Sequence, residues 1–135
     1  MDLNDYLGPE PIVVDLHAVN RWEAINELIN SLVAQHKLPA EHRNALASCV
    51  IKRELSMNTG IGSGIGLPHA ATDLVDKVVC AIGRSKQGIA YEAIDGQPVH
   101  RVILFLVPQG QFQKHLHTLA LLAKYLHGRG FPGEG

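Results

Sequence analysis

Histidine suits chemistry near neutral pH, because its imidazole titrates there and its free base is a nucleophile. The chain has eight. His69 is set apart by its lead-in, Gly66-Leu67-Pro68, which closes a stretch with glycine at every second position from Gly60 to Gly66. It is a candidate nucleophile; the plainer reading is a histidine on a surface loop. His115 and His117 compete for a second site. Successive helical residues are rotated by about 100°, so these two lie about 200° apart and do not face one target. Leu116, Leu119, Ala120, Leu122, Ala123 and Leu126 mark the buried face of that helix. His115 stands at its margin, aligned with Leu119 and Leu122, whereas His117 lies opposite, beside Lys124, and faces water. Arg53 carries a guanidinium fork that can grip two oxygens of one anion. Its plainer reading is a solvated arginine suited to a helix C-terminus. His17, His36, His42, His100 and His127 show no convergent spacing and read as surface.

The glycine stretch decides how His69 is presented. In an extended chain alternate residues face opposite sides, so one face is bare backbone and the other carries Ile61, Ser63, Ile65 and Leu67. A bare face admits a close backbone or a bulky anion. Pro68 holds Leu67 extended and removes a ladder donor. The expectation is one straight strand that stops pairing at Pro68 and presents His69 at its end. Two glycine motifs are excluded. A G-x-G-x-x-G pattern needs its third glycine where Ile65 or Leu67 stands, and a P-loop needs Gly-Lys-Ser/Thr at its end.

Several elements flank this stretch. Ile12-Val13-Val14-Asp15-Leu16 reads as a short strand. Asn20 is a good N-cap with Glu23 completing a capping-box-like pair, and Trp22, Ile25, Leu28, Ile29 and Leu32 follow at helical spacing. That helix ends near Gln35-His36-Lys37, where basic residues suit the C-terminal end. A second helix covers about residues 40 to 55, with Leu46, Cys49 and Val50 as its core stripe. Val78 to Gly83 reads as a buried strand and Gly88 to Ile94 as another short one. Asp95-Gly96 is a turn, with Asp95 as a turn residue. Val102 to Val107 is a continuous apolar run, as in a strand covered on both faces. A helix follows over about Gln113 to His127, then a glycine-rich tail from Gly128 to Gly135. Helices and strands intermix, which predicts an α/β or α+β fold, a sheet flanked by helices.

At 135 residues, 46% hydrophobic and 19% charged, the chain is one domain with its own core. A net charge of −1 argues against a sequence-blind nucleic-acid binder. The sequence shows no membrane-spanning run and no signal-like N-terminus. Cys49 and Cys80 lie in apolar stretches without a CxxC pattern, as expected of buried thiols in a reducing cytoplasm.

Arg53-Glu54, then Thr59 through Ile65, then Leu67-Pro68-His69 together resemble the phosphorylation-site signature of the enzyme IIA domain of the bacterial phosphotransferase system, in its fructose/mannitol/nitrogen-regulatory branch. The resemblance runs from about residue 3 to about residue 126. It implies a mixed sheet between helical layers. It implies that His69 carries the phosphoryl group, that Arg53 approaches that group, and that His115, in a His-Leu-x-x-Leu pattern, hydrogen-bonds its oxygens or orients His69. Glu54 reads as structural. Asp95-Gly96-Gln97-Pro98-Val99 resembles the motif that opens the family's central strand. The family implies no metal, nucleotide or other cofactor. Its members usually continue with one more helix, which the glycine-rich stretch from Gly128 to Gly135 is not expected to form. Residues 1–127 are therefore expected to form the IIA-like domain and residues 128–135 a tail.

The expected function is that of a cytoplasmic phosphocarrier. It takes a phosphoryl group from an HPr-type protein and passes it to a IIB domain or regulates a partner. Ile61 through Ile65 and His115 through Leu121 look most like the nitrogen-regulatory branch; a sugar-transporting IIA is the alternative within the family. From other classes, one reading is a regulatory module that only binds a partner. Another is a histidine metal site of His69, His115 and a third ligand. Catalytic zinc needs three protein ligands, and neither a His-x-x-x-His pair nor an obvious carboxylate supplies them. The missing last helix predicts an exposed apolar patch, hence either self-association or a longer natural polypeptide.

Overall fold

The computed structural model describes residues 13–56, 60–62 and 64–111. Strand β1 is Val13–Asp15. Helix α1, Arg21–Ala34, starts as its sequence demands: the Asn20 side chain accepts from the Glu23 N–H at 2.9 Å. The Glu23 carboxylate reaches back to the Val19 N–H at 3.2 Å, one residue before the cap. Ala24, Ile25, Leu28, Ile29 and Leu32 are its buried stripe. The helix ends at the expected place, where His36 takes φ 61° and the Lys37 N–H closes on the Leu32 carbonyl at 2.8 Å.

The second predicted helix is a 3₁₀ turn, Ala40–His42, followed by α2, Arg43–Ser56. Leu46, Ala47, Val50 and Glu54 are its buried residues. Arg43 ties it to α1, donating to Asn30 Oδ1 and Asn26 Oδ1, both at 2.7 Å.

Four short or long strands complete the described sheet after β2, Gly60–Gly62: β3 is Ile65–Gly66, β4 His69–Thr72, β5 Val79–Ile89 and β6 Val99–Pro108. The sheet is six-stranded and mixed, in the order β1-β5-β6-β3-β2, with β4 also pairing with β6. β6 is its centre: antiparallel to β5, and parallel to both β3 and β4. Its residues are buried from Val102 to Pro108, the continuous apolar run expected of a strand covered on both faces. Val102, Leu104 and Leu106 join the main core with α1 and α2, while Ile103 and Phe105 form a second cluster with Ile82. This is the alternation of a pleated strand. Both described helices thus pack on one face. The predicted helix from Gln113 to His127 and the tail lie outside the described residues, as does the question of a missing last helix.

Three expectations are corrected. The glycine stretch is not one straight strand. It folds back on itself: β2 and β3 are antiparallel, with Gly60 opposite Gly66. Gly64 makes the reversal possible at φ 79°, in the left-handed region that favours glycine. Its carbonyl accepts from the N–H groups of His100 and Arg101 at 2.9 and 3.0 Å, which pins the turn to β6. Pairing also does not stop at Pro68, because the ladder resumes at His69, opposite Phe105. Proline lacks only its own N–H; its carbonyl accepts from Phe105 at 3.0 Å. Finally, Gly88 to Ile94 is not a separate strand. Gly88 and Ile89 end β5, and Ala90 makes only an isolated bridge to Asn20. Asp95-Gly96 is the expected turn, with Asp95 Oδ1 accepting from the Gln97 N–H at 3.1 Å.

Candidate functional site

His69 is the first residue of β4, held through its neighbours by the central strand. Its ring is half-buried, and Nδ1 lies 2.7 Å from the Leu67 carbonyl oxygen. A carbonyl only accepts, so Nδ1 carries the proton and donates, leaving the lone pair on Nε2. Burial pushes the imidazole below its ordinary value of 6.5; the Leu67 carbonyl opposes that shift, the Arg53 charge adds to it and the Glu54 charge opposes it. The free base therefore prevails at neutral pH.

Between α2 and β4 lies a cavity of about 500 Å³. Cys49, Lys52, Arg53 and Ser56 line it from the helix, and Ala70 and Ala71 from the strand. Arg53 is half-buried, and its charge reaches His69. The fold thus brings together two of the three predicted site residues. His115, like His117, lies outside the described residues. The metal reading needs His115 and so lies partly outside them too; among the described residues no three His, Cys, Asp or Glu side chains converge on a point. His17, His36 and His100 are exposed, as expected, while His42 is half-buried. Cys49 and Cys80 are free thiols, half-buried rather than buried; loss of water around the Cys80 thiol pushes it up to about 12.

Beneath this site is a polar cluster that the sequence reading did not assemble. Glu54 is 1% exposed. Tyr91 Oη donates to its Oε1 at 3.4 Å, and Arg21 Nε lies 3.8 Å from its Oε2. Arg21 Nη1 also donates to the Tyr91 carbonyl at 3.0 Å, and its guanidinium stacks 4.4 Å from the Trp22 ring centroid. The Tyr91 ring occupies the bare side of the glycine hairpin. A Cβ on Gly66 would stand 2.7 Å from that ring, and one on Gly60 2.8 Å from Ala93. The alternating glycines therefore admit the Tyr91 ring, at Gly66 and Gly60, and the backbone of Ala93, at Gly60. One signal was present: Glu54 falls at buried spacing on the Leu46–Val50 stripe, where a carboxylate needs partners.

Among the described residues no helix is long and apolar enough to cross a membrane. Residues 5–131 match the family described as "Phosphoenolpyruvate-dependent sugar phosphotransferase system, EIIA 2". The chain is 34% identical over 126 residues to the fructose-specific EIIABC component of Bacillus subtilis, a match that covers 93% of this chain and 20% of that protein. It is 35% identical over 130 residues to the nitrogen regulatory protein of Escherichia coli, covering 93% of this chain and 76% of that one. Among solved structures, the nitrogen regulatory protein IIA-Ntr of Neisseria meningitidis superposes with a TM-score of 0.73 at 27% identity, over 84% of this chain and 75% of that chain.

Proposed function

The chain belongs to the EIIA 2 family of the phosphoenolpyruvate-dependent sugar phosphotransferase system, and from that premise we propose that it is a phosphocarrier whose acceptor atom is His69 Nε2. The observation that carries this reading is the bond from His69 Nδ1–H to the Leu67 carbonyl, beside a cavity lined by Arg53. That bond fixes the tautomer and leaves Nε2 as the nucleophile. The donor is a phosphohistidine protein of the HPr type. The Nε2 lone pair bonds to phosphorus as the donor's nitrogen–phosphorus bond breaks, and that electron pair returns to the donor's ring. The Nδ1 proton stays, so no base is required. Arg53 pairs with the phosphoryl oxygens; positioning and charge supply most of the catalysis in such transfers. His115 is the second imidazole at the phosphoryl group.

The onward step goes to a IIB domain or, in the nitrogen-regulatory form, becomes a switch that decides which partner binds. The segment Ile61 to Ile65 favours the regulatory form. The similar identities to a fructose-specific and a nitrogen-regulatory relative do not choose between them. The protein is proposed to work in the cytoplasm. Incubation with enzyme I, an HPr-type carrier and labelled phosphoenolpyruvate should place acid-labile phosphate on the wild type and none on His69→Ala. Label persisting on that variant removes the assignment; no label on the wild type leaves a module that only binds.

A further inference from the structure

We propose that Glu54 is a positioning residue of the transfer: its buried carboxylate, fixed by Tyr91 and Arg21, ties the last turn of α2 to α1 and to the Tyr91 ring packed on β3, and offsets the positive charge His69 acquires with the phosphoryl group. The inference rests on the phosphocarrier reading for its second half. Because the Nδ1 proton stays in place, phosphorylation at Nε2 leaves a cationic ring. The Leu67 carbonyl accepts from that ring at 2.7 Å but brings no full charge. Among the described residues the negative charge that acts on His69 is that of Glu54, which favours the cationic ring and opposes the effect of Arg53.

The anchoring is equally specific. Glu54 and Arg53 are neighbours on the final turn of α2; their side chains point about 100° apart, so an anchor on the Glu54 carboxylate fixes the turn of backbone from which Arg53 extends. Tyr91 holds Glu54 through its hydroxyl and packs its ring on Gly66, in the segment that leads into His69. Arg21 bridges α1 to both, touching the Glu54 carboxylate and the Tyr91 carbonyl. The charged and titratable groups around the pair among the described residues include Arg21 from α1, Cys49, Lys52 and Arg53 from α2, and Tyr91 after β5. A buried carboxylate with such partners is costly to assemble and is kept where its charge is used.

The test is Glu54→Gln, which keeps the shape and removes the charge. In an NMR titration of the full chain, the His69 midpoint should move further down than in the wild type. The equilibrium for phosphoryl uptake from the carrier should fall by about tenfold, a typical effect of one charge in a partly buried site. Glu54→Asp should recover part of both. A variant that loses stability while its His69 midpoint and phosphoryl equilibrium stay at wild-type values reduces Glu54 to a fold anchor and overturns the proposal. If Glu54→Gln does not fold, the wild type decides: the Glu54 carboxyl carbon resonance should show a step at the His69 midpoint, and its absence is equally fatal. If the wild type takes up no phosphate, the carrier reading has failed, and the titration still reports whether Glu54 acts on His69.

Discussion

On one flank of β6, β5 runs antiparallel in register from Val79 opposite Leu106 to Arg84 opposite Arg101, shifts register once beyond Arg84 and pairs again at Ile89 opposite Val99, and its neighbour β1 aligns Val13 to Asp15 with Ile82 to Arg84. On the other flank, β3 pairs only beside Arg101 and Val102, β4 only beside Phe105 to Pro108, and Leu67-Pro68 separates them. The first flank is a long ladder whose apolar residues fill both faces of the sheet. The second is made of short pieces whose shape depends on a turn at Gly64, a bare surface at Gly66 and the Tyr91 ring upon it. Ladders of the first kind supply stability; short, irregular segments on a rigid strand are where proteins aim reactive side chains. His69 sits on the second.

The largest effect on stability is therefore expected from the strand both flanks share. Leu104 is fully buried in the main core. Leu104→Ala should cost about 2–5 kcal/mol, from lost transfer energy and the cavity left behind. Urea unfolding measures this. Phosphoryl uptake per folded molecule should stay near wild type, because the hairpin and His69 keep their own restraints.

Gly66→Ala separates the flanks. Its Cβ would meet the Tyr91 ring at 2.7 Å, so the ring or the hairpin must shift. Overpacking of this kind costs about 1–3 kcal/mol. Uptake should drop further than the folded fraction does, because the displaced segment leads into His69 and because Tyr91 also holds Glu54. Uptake in proportion to the folded fraction would show that the hairpin does not aim the histidine.

The same contrast explains what was legible in the sequence. The ladder side announces itself: Val102 to Val107 is apolar without interruption, and Asn20, Glu23 and the stripe from Ile25 to Leu32 state a helix with its cap. Local pattern suffices for such elements. His69 and Arg53 were legible through the signature around them; Arg53 lines the cavity between α2 and β4, and its charge reaches His69. The hairpin was misread because alternating glycines fit a straight strand and a folded one equally. What selects the fold is the left-handed turn at Gly64, tied to His100 and Arg101, and a ring supplied by distant Tyr91. Glu54 was placed as structural; its spacing from Leu46 and Val50 signals burial and hence a need for partners, but that the partners are Arg21 and Tyr91 is tertiary and has no local signature.

Smaller effects come from titration on the reactive flank. His69 is held below 6.5 in the folded protein, chiefly by burial. As pH falls below that value the unfolded chain takes up a proton that the folded one resists. Stability should decline through the window between the two values and level off once folded His69 is also protonated. His69→Gln should remove that component of the decline. An unchanged pH profile of the unfolding midpoint would mean that the ring is more hydrated than its setting implies. Phosphoryl uptake should hold through most of that window and fall at its lower end, where folded His69 is itself protonated and loses the lone pair on Nε2.

The smallest effect is expected on the ladder flank, at its shortest ion pair. Arg84 Nε lies 2.6 Å from Asp15 Oδ1, closer than Arg21 to Glu54. The Asp15 side chain is largely exposed, however, and exposed pairs are screened by water and salt. The Arg84 hydrogen bond and then its charge hold the Asp15 carboxyl below its ordinary 3.8. Its contribution is thus present above that value and lost as pH falls through the lowered one, well away from neutrality. Near neutral pH and at about 0.15 M salt, Asp15→Asn should leave the urea midpoint unchanged within error and phosphoryl uptake intact. β1 keeps its register through backbone bonds, including the Leu16 N–H to the Arg84 carbonyl at 2.8 Å. A clear loss of stability in Asp15→Asn would mean that a side-chain pair fastens β1, and the ladder flank would then depend on particular side chains as the reactive flank does.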